Sequence, residues 1–77
     1  MEIEVISFGK IAEFIPQQKI SIVNISNTDE LRAYLEKNFP DLAGTKYKLA
    51  LNKNVVQVKT EINNNDVVAI MPPFSGG

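Results

Sequence analysis

The chain contains no cysteine and no histidine. The first absence removes disulfides, a thiolate nucleophile and thiolate-held metal. The second removes the commonest general base and the commonest zinc ligand. Aspartate, glutamate, lysine, tyrosine and a terminal carboxylate are what remain for chemistry, so a self-sufficient enzyme is not expected in 77 residues. There is no apolar run long enough to span a bilayer, and Met1-Glu2-Ile3-Glu4 lacks the basic start and apolar stretch of a secretory signal. A cytoplasmic protein without a membrane partner is the expectation. An excess of either charge is missing too: eight basic against nine acidic residues leave a net charge of −1 and no electrostatic footprint for nucleic acid. Lys46, Lys48, Lys53 and Lys59 form no stripe, but are available to acidic partner surfaces.

What is present belongs to an ordinary globular protein, 44% apolar and 22% charged. One small domain over residues 1–77 is expected, burying about 60–65% of its unfolded surface. Glu2 to Phe8 reads as a strand, with Ile3 and Val5 on one face and Ile6 and Phe8 on the other. Gly9 interrupts it. Lys10 to Gln18 is a connection from which Ile11, Phe14 and Ile15 can dip into the core, with a turn at Pro16. Lys19 to Ile25 is a second strand, short-linked and so antiparallel to the first.

The clearest helix follows. Asn27 or Thr28 is its cap, Asp29 and Glu30 suit its first turn, and Leu31, Tyr34 and Leu35 make one apolar stripe. Pro40 ends it near Asn38. Asp29, Glu30 and Glu36 are read as capping and solvated residues rather than as a metal site, and no metal is expected. Asn24-Ile25-Ser26 fits the glycosylation pattern, which a cytoplasmic chain does not use. Asp41 to Thr45 reads as a loop, Tyr47 to Asn52 as a third strand, Val55 to Val58 as a fourth, and Asn63 to Asp66 as a turn tolerant of positive φ. Val67 to Met71 is a buried central strand, stopped by Pro72 and Pro73, which cannot donate to a ladder. The order is α+β, with one main helix across a mixed sheet of four to five strands. First and last strands lie parallel, joined through the helix. That is the ubiquitin-like β-grasp arrangement.

Beyond the strand, residues 72–77 form an extended tail. Two prolines stiffen it, and Gly76 and Gly77 carry no Cβ, so another protein's backbone can close around them. From Phe74 to Gly77 such a tail reaches roughly 10–13 Å.

With that order in place, the residues resemble the small subunit of molybdopterin synthase, a ubiquitin-like sulfur carrier. The likeness covers most of the chain. It is strongest at Phe8-Gly9-Lys10-Ile11-Ala12-Glu13, at Ala50-Leu51-Asn52 with Val55-Val56, and from Asn65-Asp66-Val67-Val68-Ala69 into Pro72-Pro73-Phe74-Ser75-Gly76-Gly77. Where that family commonly has Asp-Gly-Asp before its last strand this chain has Asn64-Asn65-Asp66. Met71 stands for a frequent aromatic, and Ser75 for alanine.

The resemblance implies a division of labour. A terminal carboxylate has a pKa of about 3.5, so at neutral pH it is ionised and a poor electrophile. A ubiquitin-activating-like adenylyltransferase, using ATP and Mg, would convert Gly77 to an acyl-adenylate, and sulfur would replace AMP to give a thiocarboxylate. The large synthase subunit would receive the tail and supply acid–base groups for making the molybdopterin dithiolene from cyclic pyranopterin monophosphate, in a heterotetramer. Gly77 would be the covalent site, Pro72, Pro73, Phe74, Ser75 and Gly76 the threading segment, and Phe8, Val55 and Met71 the apolar partner interface. The chain itself would bind no cofactor. Related Gly-Gly carriers of thiazole synthesis or transfer RNA thiolation, a protein modifier, and a non-catalytic β-grasp interaction module are the alternatives.

Overall fold

A computed structural model describes residues 1–73. Among them the chain forms β1 (Glu2–Ser7), a 3₁₀ helix (Gly9–Glu13), β2 (Gln18–Ser21), α1 (Thr28–Asn38), α2 (Pro40–Ala43), β3 (Lys48–Leu51), β4 (Asn54–Val55) and β5 (Val67–Met71). The strands make one sheet in the order β2-β1-β5-β3-β4. β1 runs antiparallel to β2 and parallel to β5, and β5 is antiparallel to β3. This is the β-grasp arrangement that the element order predicts, with the last strand in the middle.

Alternation assigns the two faces of the sheet. Ile3 and Val5 of β1, Leu49 of β3, and Val68 and Ile70 of β5 all point to one side and are buried. Leu31 and Leu35 of α1 join the same cluster, so the helix covers that side. Ile11 and Ile15 close one end of the core, each fully buried. Burying side chains of this size stabilises the fold by roughly 1.5–3 kcal/mol apiece.

Helix α1 begins where its capping chemistry places it. Asn27 is extended, and its Oδ1 accepts the Glu30 backbone N–H at 2.9 Å. Glu30 Oε1 in turn accepts the Ser26 backbone N–H at 2.7 Å and its hydroxyl at 3.1 Å. Those bonds, the backbone one first, hold the Glu30 carboxyl below its ordinary value. A second clamp ties the helix start to the segment before β5. Thr28 is buried, its N–H donates to the Thr60 carbonyl at 2.9 Å, and its Oγ1 accepts the Thr60 N–H at 3.0 Å.

The turn that launches β5 is held in the same way. Asn65 has φ of 69°, the left-handed region that Asn tolerates. Asn52 Oδ1 accepts the Val67 N–H and its Nδ2 donates to Asp66 Oδ1, both at 2.9 Å.

Three expectations require correction. The strand predicted over Lys19 to Ile25 ends at Ser21, because Asn24 turns into the left-handed region with φ of 65°; Ile22 is buried beyond the strand, where Met1 brackets it with two hydrogen bonds. The loop predicted over Asp41 to Thr45 contains most of α2, whose first residue is Pro40 and whose Leu42 enters the core. The strand predicted over Val55 to Val58 shrinks to Asn54–Val55. Past Val56, which still donates to the Leu49 carbonyl, the chain leaves the sheet edge, and Val58 is 74% exposed. On β3 Leu49 is buried, and Leu51, with Tyr47 just before the strand, packs against the core cluster.

Candidate functional site

The side of the sheet opposite α1 carries the outward residues of the same alternation. On β1 these are Glu4 and Ile6, with Phe8 one step beyond the strand. On β5 they are Val67, Ala69 and Met71, on β3 Lys48 and Ala50, and on β4 Val55. Register sorts them into rows. Ile6 lies opposite Ala69, Ala69 opposite Ala50, and Ala50 opposite Val55, so one apolar row crosses four strands. The next row, toward the end of β5, holds Phe8, Met71 and Lys48. Met71 is opposite Lys48, and the Phe8 N–H donates to the Ile70 carbonyl at 3.0 Å.

An outward face reading Ile, Phe, Ala, Met, Ala, Val is unusual for a sheet side that no helix among the described residues covers, since such positions are ordinarily polar. The two alanines flatten its centre, and Ala50 is 5% exposed without belonging to the core cluster. Larger side chains stand at the margins, with Phe8 49% and Val55 48% exposed. A contiguous apolar patch of this kind marks a docking surface.

The patch leads into a groove lined by Phe8, Gly9, Met71 and Pro72. Its walls meet because Gly9 permits it. Gly9 has φ of +60°, and a Cβ built there would stand 3.0 Å from Pro72 Cγ. The turn after β1 therefore lies against the proline that ends β5. Pro72 is partly buried by this contact, whereas Pro73 is exposed.

Of the interface residues expected from the sequence, Phe8 and Met71 come together in the groove. Val55 does not touch it; it stands at the far end of the neighbouring row, connected through Ala50 and Ala69. Pro72 and Pro73 leave the central strand beside the groove. Phe74, Ser75, Gly76 and Gly77 lie outside the described residues. Ile6, Ala50, Ala69, Lys48 and Gly9 complete the surface and were not expected there. The signal for the first three was the outward phase of strands β1, β3 and β5, read together rather than strand by strand.

Among the described residues the groove is lined by no titratable side chain, although Glu4 and Lys48 stand on the same outer face. Gln17 Nε2 donates to Glu4 Oε2 at 2.9 Å at the end away from Pro72. On the helix side, the Tyr47 ring lies 5.2 Å beneath the Arg32 guanidinium, and its hydroxyl donates to Glu36 Oε2. Burial, and then that hydrogen bond, push the Tyr47 phenol up to about 12. Among the described residues no group of three or more Asp and Glu is placed to hold a metal ion, and no helix is long and apolar enough to cross a membrane. The apolar character of the outer face is that of a protein-docking surface.

Comparison with known proteins agrees with this geometry. The model of the ThiS family matches residues 5–77. A chain from the complex of subunits 1 and 2 of the molybdopterin-converting factor of Helicobacter pylori is 29% identical, with a TM-score of 0.73 and full coverage of both chains. A Pyrococcus furiosus protein assigned as molybdopterin converting factor subunit 1 superposes with a TM-score of 0.84 at 16% identity, covering 95% of this chain and 98% of that one. SAMP1 from Haloferax volcanii gives 0.77 at 17% identity over the whole of both chains. At those two identities the likeness is one of fold.

Proposed function

The chain belongs to the ThiS family of ubiquitin-like sulfur carriers, and from that premise we propose that it is the small subunit of molybdopterin synthase. The observation that carries the reading is the apolar outer face running into the groove of Phe8, Gly9, Met71 and Pro72, at the end of the sheet from which residues 74–77 continue. Its support among known proteins is the 29% identity to a chain of the Helicobacter pylori complex of subunits 1 and 2. The partner proposed here is the corresponding large subunit, in a cytoplasmic heterotetramer.

The chemistry is that of an activated carboxylate. In the adenylyltransferase, a Gly77 carboxylate oxygen attacks the α-phosphorus of ATP; pyrophosphate leaves and the acyl-adenylate forms. A hydrosulfide equivalent then adds to the Gly77 carbonyl and AMP leaves, giving the thiocarboxylate. In the large subunit that sulfur attacks a carbon of cyclic pyranopterin monophosphate, and the C–O bond at that carbon breaks with its electron pair leaving on oxygen. Hydrolysis of the resulting acyl–sulfur bond leaves sulfur on the substrate and returns the Gly77 carboxylate, and two such deliveries make the dithiolene. Phe8 and Met71 dock the body, while Pro72, Pro73, Phe74, Ser75 and Gly76 thread the carbonyl into the partner. Binding energy gathered on the outer face thereby serves to position the reacting carbonyl in the partner.

Removing the codon for Gly77 in cells tests this reading. Molybdoenzyme activity is expected to disappear while the truncated chain still accumulates. Retention of activity would refute the proposal, and loss of isopeptide-linked ladders with molybdoenzymes intact would point to a modifier instead.

A further inference from the structure

One cation stands inside the apolar field of the outer face. Lys48 lies opposite Met71 in the ladder, and its neighbour Leu49 is fully buried on the helix side, so alternation turns Lys48 outward. It is partly buried there, two residues from Ala50. Glu4 occupies the opposite corner: it is opposite Val67 on β1, two rows away and across the central strand. Glu4 has its own cross-strand cation, Lys19 of β2, directly opposite it, whereas Lys48 of β3 faces Met71 beside the groove. The flat row Ile6, Ala69, Ala50 and Val55 runs between Glu4 and Lys48.

Directly opposed residues of an antiparallel pair stand about 5 Å apart. A protein that covers Met71 must therefore cover much of Lys48. An ammonium stripped of water against an apolar surface opposes docking unless an opposite charge meets it. We infer that Lys48 is a specificity-determining residue of the docking face, and that the face fits a partner presenting a carboxylate beside the socket for Phe8 and Met71. This rests on the reading that the large synthase subunit is the partner. Charge placed in this way selects among partners and sets orientation more than it adds raw affinity. A lysine that merely lay at the rim would turn its ammonium into water along its aliphatic stem and select nothing.

Calorimetric titration of the full chain with the molybdopterin synthase large subunit of the same organism, at low and high salt, separates these cases. Lys48→Glu is expected to weaken binding at least ~30-fold, because a like charge then faces the partner's carboxylate. Lys48→Met keeps the apolar stem; it is expected to weaken binding about tenfold at low salt and to flatten the salt dependence. Both variants should melt with the wild type, since Lys48 lies outside the core. Reversing the partner's facing carboxylate to lysine should restore binding to Lys48→Glu. Binding of Lys48→Glu within about twofold of wild type, with an unchanged salt slope, would overturn the inference and leave the proposed function standing. Failure of the wild-type chain to bind would overturn both.

Discussion

Replacing Gly9 by alanine should destabilise the protein where replacing Gly44 does not, and the difference follows from backbone and contact geometry alone. Gly9 has φ of +60° and Gly44 has φ of −94°. An alanine in the left-handed region costs about 1–2 kcal/mol. A methyl at Gly9 would also approach Pro72 Cγ to 3.0 Å, so the proline ring or the turn must shift, whereas no atom lies within 4 Å of a Cβ at Gly44. Together the two effects at Gly9 amount to roughly 1–3 kcal/mol. For a domain of this size the whole stability is about 4–12 kcal/mol and each kcal/mol moves the midpoint by about 4–8 °C, so Gly9→Ala should stay folded but melt about 5–20 °C lower. Gly44→Ala should match wild type or gain about 0.4–1 kcal/mol through a stiffer unfolded chain. In the double variant Gly9→Ala/Pro72→Ala the overlap is relieved and the backbone strain remains, so part of the loss should return. Thermal melts followed by circular dichroism check all three. If Gly9→Ala melted within about 2 °C of Gly44→Ala, the account of how the turn seats against Pro72 would be wrong.

Two further outcomes test other parts of the structure. Thr28→Val keeps the shape of a buried residue but leaves the Thr60 N–H without its 3.0 Å acceptor; urea melts should show a loss of about 1–2 kcal/mol, with Thr28→Ser nearly unchanged. Tyr47 is raised by burial and by Glu36 from 10.0 to about 12, so the folded chain holds this proton more tightly than the unfolded one. The stability it contributes is complete below pH 10 and is lost as pH rises through about 12. Denaturant midpoints should fall across that window in wild type more steeply than in Tyr47→Phe; parallel curves would contradict the assignment.

Much of the frame was legible because local chemistry and tertiary demand coincide there. Asn27 caps the helix with its own side chain, the alternation of β1 and β5 matches a half-covered sheet, and the prolines after Met71 leave the last strand no means to continue. The misplaced segments depend on distant partners. Lys19 to Ile25 and Val55 to Val58 have strand-like composition, yet each leaves the ladder at a sheet edge. Pro40–Ala43 is too short to show a helical period, so its buried Leu42 looked like part of a loop. The docking surface was half legible. Phe8 and Met71 could be named, but the rows joining them to Ala69, Ala50 and Val55 exist only once the register is fixed. Lys48 could not be told from the other lysines until Met71 was found opposite it. The contact of Gly9 with Pro72 joins residues 63 positions apart, and nothing local announces it.

The central claim is that sulfur is carried on the Gly77 carbonyl and on no side chain. Incubating the chain with its adenylyltransferase, ATP, Mg and sulfide, then measuring the mass of the intact protein and its fragments, tests it most directly. The account predicts a gain of about 16 Da, sulfur for oxygen, confined to fragment ions that contain Gly77 and exclude Met1 and Met71, whose oxidation would add the same nominal mass. An unchanged mass, or a gain that resides on a methionine, would contradict it.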